Sequence, residues 1–311
     1  MTSALVQVDE LRSALATDRP PLVLDVRWTL AGADRDGYLA SRIPGAVFVD
    51  LDAELASPPG DDGRHPLPTA EQLTGLMRRV GIVPGRGVVV LDGGAGGAAA
   101  RAWWCLRWAG HADVRVLDGG HVAWLAAGGP VESGEPAAGA SGSPAAGTAP
   151  AGSAGAGTTA SEGDVPAEPA PSDVVVRFGS MPTVDVDAVL AGTVGSLLDA
   201  RAAERFRGEV EPVDPVAGHI PGAHSCPTTD LQAPDGRYLP AGELRDVMLS
   251  SAGIDDSPNA GPITAYCGSG VTAAQLVLAG HEAGLDLALY PGSWSHWVRD
   301  ASRPVATGPE T

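Results

Sequence analysis

The strongest constraint on the fold is an internal repeat, in which the early and late parts of the chain share short segments in one order. The pairs are LVLDVR (22–27) with SLLDAR (196–201), RIPGA (42–46) with HIPGA (219–223), GVVVLD (87–92) with PITAYC (262–267), and VLDGG (116–120) with LYPGS (289–293). The offset stays nearly constant, at 174 residues between Asp25 and Asp199, 177 between Pro44 and Pro221, and 173 between Trp124 and Trp297. The chain of 311 residues is therefore predicted to contain two copies of one domain.

A segment of unusual composition separates the two copies. From about Gly129 to Ser172 the chain consists mostly of Ala, Gly, Ser, Pro and Thr, and it holds no aromatic residue. Such a segment buries too little apolar surface to offset the conformational entropy that it would lose on ordering. We therefore expect domains at residues 1–130 and 173–311, joined by a flexible linker at residues 131–172.

Within each copy, short apolar runs alternate with helical patterns. The runs at 22–26 and 88–91 are rich in branched aliphatic residues, which is typical of strands buried on both faces. Apolar residues recur at helical spacing over 69–80, where Thr69 and Gln72 form a capping box. The sequence thus predicts an α/β fold with two similar domains, each a mainly parallel sheet with helices on both faces.

Charge and cysteine usage exclude several functions. With 38 acidic and 20 basic residues, the chain has a formal net charge of −18, which repels nucleic acids and anionic lipid surfaces. No apolar run is long enough to span a membrane, and the first residues do not resemble a secretory signal. The cysteines Cys105, Cys226 and Cys267 form neither a disulfide framework nor a metal-binding spacing. We expect a cytoplasmic protein without metal, nucleic-acid or membrane partners.

Cys267 has the setting of a nucleophile. It follows a predicted strand and opens the loop CGSGVT (267–272), after which a helix is predicted to begin near Ala273. The two glycines let successive N–H groups point at the thiol, and the helix N-terminus adds partial positive charge. Both effects favour the nucleophilic thiolate. A cysteine phosphatase would need an arginine at position 273, so that reading is disfavoured. From the loop alone, a buried structural cysteine remains the alternative.

With these motifs the chain resembles the rhodanese superfamily in its two-domain form, and within it the 3-mercaptopyruvate sulfurtransferases. The loop of those enzymes is typically Cys-Gly-Ser-Gly-Val-Thr, whereas thiosulfate sulfurtransferases usually have Arg and Lys at the positions of Gly268 and Ser269. A dianionic donor favours such a cationic pair, while a keto acid can be held by hydrogen bonds and one arginine. The resemblance also implies that only the second domain is active, since Asp92 stands where the first would carry a cysteine.

The resemblance assigns the substrate site to two segments of the second domain. Arg205 matches the arginine that binds the donor carboxylate, and Gly268, Gly270, Val271 and Thr272 complete the substrate site.

The resemblance also implies a proton relay that joins the two domains. Asp52 and His65 match a pair that would work with Ser269, although a simple turn role for Asp52 stays open.

One position departs from the family pattern. A second substrate arginine is often found about nine residues after the first, and this chain has Asp214 there. Either Arg207 or Arg237 substitutes, or the carboxylate is held by one arginine and backbone amides.

The implied reaction uses no metal or organic cofactor. Cys267 takes sulfur from a small-molecule donor as a persulfide, and a thiol, a thioredoxin-like protein or cyanide then accepts that sulfur. Two alternatives stay open: thiosulfate as the donor, and a non-catalytic rhodanese module that binds a partner or carries sulfur.

Overall fold

The computed structural model of the protein describes residues 3–136, 174–257 and 261–309. The strands of the first domain are β1 (Leu5–Val6), β2 (Leu22–Asp25), β3 (Trp28–Thr29), β4 (Gly32–Ala33), β5 (Val47–Phe48), β6 (Val88–Leu91) and β7 (Val114–Leu117). Its helices are α1 (Val8–Leu15), α2 (Arg35–Ala40), α3 (Leu51–Glu54), α4 (Ala70–Val80), α5 (Gly97–Trp108) and α6 (Gly120–Ala126).

The second domain has the strands β8 (Ser196–Asp199), β9 (Ala223–Ser225), β10 (Ile263–Tyr266) and β11 (Leu287–Leu289). Its helices are α7 (Val186–Leu190), α8 (Ala203–Phe206), a 3₁₀ turn (Thr228–Leu231), α9 (Ala241–Ala252), α10 (Ala273–Glu282) and α11 (Ser293–Trp297). No helix in the described ranges is both long enough and apolar enough to cross a lipid bilayer.

Each domain is built on one parallel sheet. The strand order is β1-β7-β6-β2-β5 in the first domain and β11-β10-β8-β9 in the second. The two orders agree once the edge strand β1 is set aside, so β6 and β10 occupy equivalent central positions. All pairings within the two sheets are parallel. The predicted fold class is therefore confirmed.

Local sequence signals explain the elements they predicted. Every residue of β2 and β6 is buried, as expected for parallel strands covered on both faces. Helix α4 begins after Thr69, whose side chain accepts a hydrogen bond from the Gln72 amide, and the capping box is complete. The helix ends at Gly81, whose φ of 76° is the left-handed conformation that glycine favours.

Two central helices hold the domains together. Residues 98–106 of α5 and 273–280 of α10 are all buried, because each helix lies between its own sheet and the other domain. One cluster of buried apolar side chains runs through both domains, and Trp103 and Trp104 of α5 are fully buried in it. The carboxyl ends of β6 and β10 consequently face a common cleft.

The predicted linker begins later than expected. Glu132 pairs with Arg42 through two backbone hydrogen bonds, and the Arg42 guanidinium donates to the Gly134 carbonyl at 2.6 Å. The backbone groups of Glu132 and Gly134 are thus paired with the first domain, and this part of the predicted linker belongs to that domain. On the far side of the linker, Phe178 stacks on Trp108 of the first domain with ring centroids 3.9 Å apart. The remainder of the predicted linker, residues 137–172, lies outside the described residues.

Candidate active site

A cleft of about 670 Å³ lies between the two domains at the carboxyl ends of their sheets. The loops that follow β6 and β10 line it from opposite sides, and Cys267 is the first residue after β10. This is the position at which parallel α/β sheets place their ligands. Gly268, Ser269, Val271 and Thr272, which the resemblance assigns to a substrate site, also line the cleft.

The loop around Cys267 is held in a single shape by backbone contacts. The Gly270 amide donates to the Cys267 sulfur at 3.1 Å, and the Cys267 amide donates to the Ser293 hydroxyl at 3.1 Å. Gly270 has a φ of +80°, and a Cβ there would collide with the Pro291 carbonyl oxygen. Only glycine fits this position, so the curl expected from the sequence is built in. Gly270 itself does not line the cleft.

Arg205 reaches the edge of the same loop. Its Nε and Nη2 donate to the Glu211 carboxylate at 3.2 and 2.6 Å, and Nη2 lies 3.5 Å from Asp214. A Cβ built on Gly268 would lie 3.7 Å from both terminal nitrogens of Arg205. Burial alone would raise the pKa of Glu211, but hydrogen bonds from Arg205 and two backbone amides hold it below its ordinary value. The carboxylates thus fix the guanidinium beside the loop.

The structure brings together the three residues of the predicted relay. The Nδ1 atom of His65 lies 2.7 Å from the Ser269 hydroxyl, and Nε2 lies 3.1 Å from an oxygen of Asp52. The other oxygen of Asp52 accepts a hydrogen bond from the Trp28 indole at 2.9 Å, so Asp52 is more than a turn residue. An Nε2–H donated to Asp52 leaves Nδ1 free to accept from Ser269.

The His65 ring is held neutral near neutral pH. Burial is the main cause, and the nearby Arg101 and Arg64 guanidiniums add to it, while Asp52 opposes them. The pKa of His65 falls to about 4 as a result. A neutral imidazole can both accept and donate a proton at once, which a relay requires.

Two arginines of the first domain were missed by the sequence reasoning. Arg64 lines the cleft and pairs with Asp214 at 2.6 Å, whereas neither Arg207 nor Arg237, the predicted substitutes, lines it. Arg207 instead bonds Glu209 at the surface. The sequence feature that could have pointed to Arg64 as a site residue was its position next to His65.

Arg101 is fully buried in α5, and its guanidinium donates hydrogen bonds to backbone carbonyls of both domains. It bonds the carbonyl of Gly270 at 3.2 Å and that of His65 at 3.1 Å, and it also reaches Leu55 and Pro66. Arg101 therefore ties the cysteine loop to the histidine loop. Every residue has a backbone carbonyl, so hydrogen bonds to carbonyls cannot be recognised in the sequence. Arg101 was therefore not predicted to belong to the site.

The first domain repeats the cysteine loop with a carboxylate inside it. The Asp92 side chain accepts hydrogen bonds from the amides of Gly94, Gly96 and Ala99 at 2.8, 3.1 and 3.2 Å. The protein's own carboxylate thus fills the anion cradle that in the second domain faces the Cys267 sulfur.

The described ranges contain neither a group of metal-binding side chains nor a disulfide bond. No three His, Cys, Asp or Glu side chains there are grouped to hold a metal ion. All three cysteines lie within those ranges, and none forms a disulfide. Cys105 and Cys226 are fully buried and, unlike Cys267, neither lines the cleft.

This arrangement of two parallel sheets, with one cysteine loop at their shared cleft, defines a two-domain protein with a single candidate nucleophile. The rhodanese-like domain family matches the chain twice, at residues 7–127 and 185–300. The chain belongs to the rhodanese-like family, with one family domain in each half.

Relatives with the same two-domain length support this assignment. SseB of Mycobacterium tuberculosis is 42% identical over 98% of this chain and 97% of its own, and its name gives thiosulfate sulfurtransferase as a provisional activity. A Pseudomonas aeruginosa protein, provisionally named a 3-mercaptopyruvate sulfurtransferase, is 39% identical over 99% of this chain and 100% of its own. The crystal structure of SseA from Escherichia coli, titled a 3-mercaptopyruvate sulfotransferase, matches 94% of this chain and 100% of its own with a TM-score of 0.71 and 28% identity.

Proposed function

We propose that the chain transfers sulfur from 3-mercaptopyruvate to a thiol acceptor or cyanide, through a persulfide on Cys267. Its membership of the sulfurtransferases follows from the curated relatives, which carry that activity in their names. The observation that carries the proposal is the cysteine loop. Cys267 lies at the shared cleft with a backbone amide 3.1 Å from its sulfur and the Arg205 guanidinium beside Gly268.

In the first half of the reaction, the Cys267 thiolate attacks the thiol sulfur of 3-mercaptopyruvate. A sulfur–sulfur bond forms and the carbon–sulfur bond breaks, and its electron pair leaves with the carbon as the enolate of pyruvate. The enolate takes up one proton, which balances the proton that Cys267 lost. Arg205 binds the donor carboxylate, and the loop amides, Gly270 foremost, stabilise charge on sulfur.

We assign the proton transfer to Ser269, His65 and Asp52. Ser269 is the member of the three that lines the cleft, so its hydroxyl exchanges the proton with the reacting carbon. His65 exchanges a proton with that hydroxyl across 2.7 Å, and Asp52 orients the ring from the other side. In the second half of the reaction, an acceptor thiolate or cyanide attacks the outer persulfide sulfur and restores Cys267.

The charges around the cleft favour a monoanionic donor. The two guanidiniums of Arg64 and Arg205 are balanced by the two carboxylates of Glu211 and Asp214, so this group has no net formal charge. A dianion such as thiosulfate gains less from a balanced group than from an unpaired cationic pair. The keto acid needs only directed hydrogen bonds to one carboxylate and one carbonyl.

Thiosulfate is the second candidate donor, since the Mycobacterium relative carries that activity in its name. Steady-state rates with both donors and cyanide as acceptor separate the candidates. We expect kcat/KM to be at least about tenfold higher with 3-mercaptopyruvate, the effect of one charge-assisted hydrogen bond. Equal or higher values with thiosulfate would overturn the donor assignment and leave the transferase class intact.

For the acceptor we propose a small thiol or a thioredoxin-like dithiol, and for the compartment the cytoplasm, where reducing conditions keep such thiols and Cys267 available. The net charge of −18 argues against nucleic-acid and membrane partners.

Mass spectrometry tests the persulfide directly. After incubation with 3-mercaptopyruvate, the intact protein should gain one sulfur atom, and peptide mapping should place it on Cys267. The Cys267→Ser variant should gain none, while Cys226→Ser, a change at a fully buried cysteine, should behave like the wild type. A wild-type protein that gains no sulfur would instead favour a non-catalytic binding module.

A further inference from the structure

We propose that Arg64, a residue of the first domain, supplies the second guanidinium of the donor site. Asp214 stands where a second substrate arginine was expected, and in the structure its carboxylate binds Arg64. The inference rests on the proposed function, because it concerns how a keto-acid carboxylate is held.

The geometry places the two guanidiniums around the same point. A Cβ on Gly268 would lie 3.1 Å from Nη2 of Arg64 and 3.7 Å from Nη1 of Arg205. Gly268 is the neighbour of Cys267, so both cations border the space in which a donor must present its sulfur. The main chain of Arg64 is itself anchored across the interface, since its amide donates to the Ser295 hydroxyl at 3.0 Å.

Exposure shows which charges face the cleft. The side chains of Arg64 and Arg205 are 26% and 17% exposed, whereas those of Asp214 and Glu211 are each 4% exposed. The carboxylates thus lie behind the guanidiniums and hold them in place. Nη1 of Arg205 has no recorded hydrogen-bond partner among the described residues, and it faces Gly268. The cationic surface is the one available to a ligand.

A three-carbon keto acid matches this arrangement. When its sulfur meets Cys267, its carboxylate lies a few bond lengths away, within reach of two guanidiniums that converge from different domains. The donor site is therefore complete only when the first domain is docked. Residues 63–66 then contribute to both donor binding and proton transfer, because they include Arg64 and the relay residue His65.

The test compares two donors that differ by one group. 3-Mercaptopyruvate carries the carboxylate, and 1-mercaptopropan-2-one keeps the thiol and the ketone but has a methyl group in its place. The Arg64→Gln variant should raise KM for 3-mercaptopyruvate about ten- to hundredfold, the range of one charge-assisted hydrogen bond, with kcat much less affected. Its kinetics with the mercaptoketone should match those of the wild type.

Two further variants complete the design. Arg207→Gln removes an exposed arginine that is paired with Glu209 and lies away from the cleft, so it should leave both donors unchanged. Arg64→Asp places a negative charge beside the donor carboxylate, so it should lose 3-mercaptopyruvate activity while keeping activity with the mercaptoketone.

The outcomes separate this inference from the proposed function. If Arg64→Gln slows both donors equally, or neither, Arg64 has only a structural role and the inference is wrong, while a wild type active with 3-mercaptopyruvate keeps the function. An Arg64→Asp variant that keeps full 3-mercaptopyruvate activity would equally overturn it. A wild type that forms no persulfide with either donor would overturn the function itself.

Discussion

Acidification should destabilise this protein through His65. The residue is 8% exposed, and its pKa is lowered from the ordinary 6.5 to about 4, chiefly by burial and further by the Arg101 and Arg64 cations. In the unfolded chain the same imidazole is solvated and titrates normally. Between pH 6.5 and 4 the unfolded state therefore binds a proton that the folded state does not.

The sign and size follow from that difference in proton binding. Because the unfolded state holds more protons in this window, the free energy of unfolding falls as the pH falls. The contribution of His65 is complete above pH 6.5 and is lost progressively towards pH 4. At about 1.4 kcal/mol for each pKa unit, the loss amounts to about 3 kcal/mol, a large part of the stability of an ordinary domain.

Urea unfolding of the wild type and a His65→Gln variant at several pH values between 7 and 4.5 measures this term. Other groups titrate in the same window: His121 has its pKa lowered to about 4, and Asp25 has its pKa raised to about 6 by burial, which acts in the opposite direction. Both are present in the two proteins, so the difference between their stabilities isolates His65. The wild type should lose about 2–3 kcal/mol more than the variant over this range. Parallel curves would refute the reasoning.

Three further changes test the site and its supports. Arg101→Gln should cost at least about 3 kcal/mol of stability by urea unfolding, since it leaves several buried carbonyls without a donor. Gly270→Ala should abolish sulfur transfer and cost more than about 2 kcal/mol because of its positive φ and the Pro291 carbonyl. Gly268→Ala should stay folded with near wild-type stability, because its Cβ would meet the ends of the Arg64 and Arg205 side chains and no backbone atom. Deleting residues 145–165 should change the urea midpoint little, because shortening a flexible linker changes the free energy of loop closure by less than about 1 kcal/mol. A large shift of the midpoint would show that the segment packs against a domain.

The fold was predictable because its signals are local or repeated. Runs of branched aliphatic residues predict strands such as β6, and the capping box at Thr69 predicts where α4 begins. The repeat then doubles every such signal, so a weak indication in one half is supported by its copy. The position of Cys267 followed from the same logic, since a loop after a central parallel strand opens onto the ligand cleft.

The contacts that build the cleft across the interface were much harder to predict. Arg64 meets Asp214 from 150 positions away, and nothing in the composition distinguishes it from the other arginines. Arg101 is harder still, because its partners are backbone carbonyls that every residue possesses. The linker boundary was misplaced for a related reason. The segment around Glu132 looks featureless, but its backbone pairs with Arg42, and backbone pairing has no side-chain signature.

The two domains share a fold, but the loops that follow their central strands β6 and β10 carry different side chains. In the first domain the Asp92 side chain occupies the amide cradle, so no anionic sulfur can be held there. The same domain nevertheless contributes His65 to the serine of the active loop, Arg101 to its Gly270 carbonyl, and Arg64 to the rim. His65 and Arg64 lie in the loop before α4 and Arg101 lies on α5, and all three contact the second domain across the domain interface. Under the proposed mechanism the first domain, whose loop carries Asp92 in place of a cysteine, is therefore required, because it completes the proton path and the charge balance of the cleft.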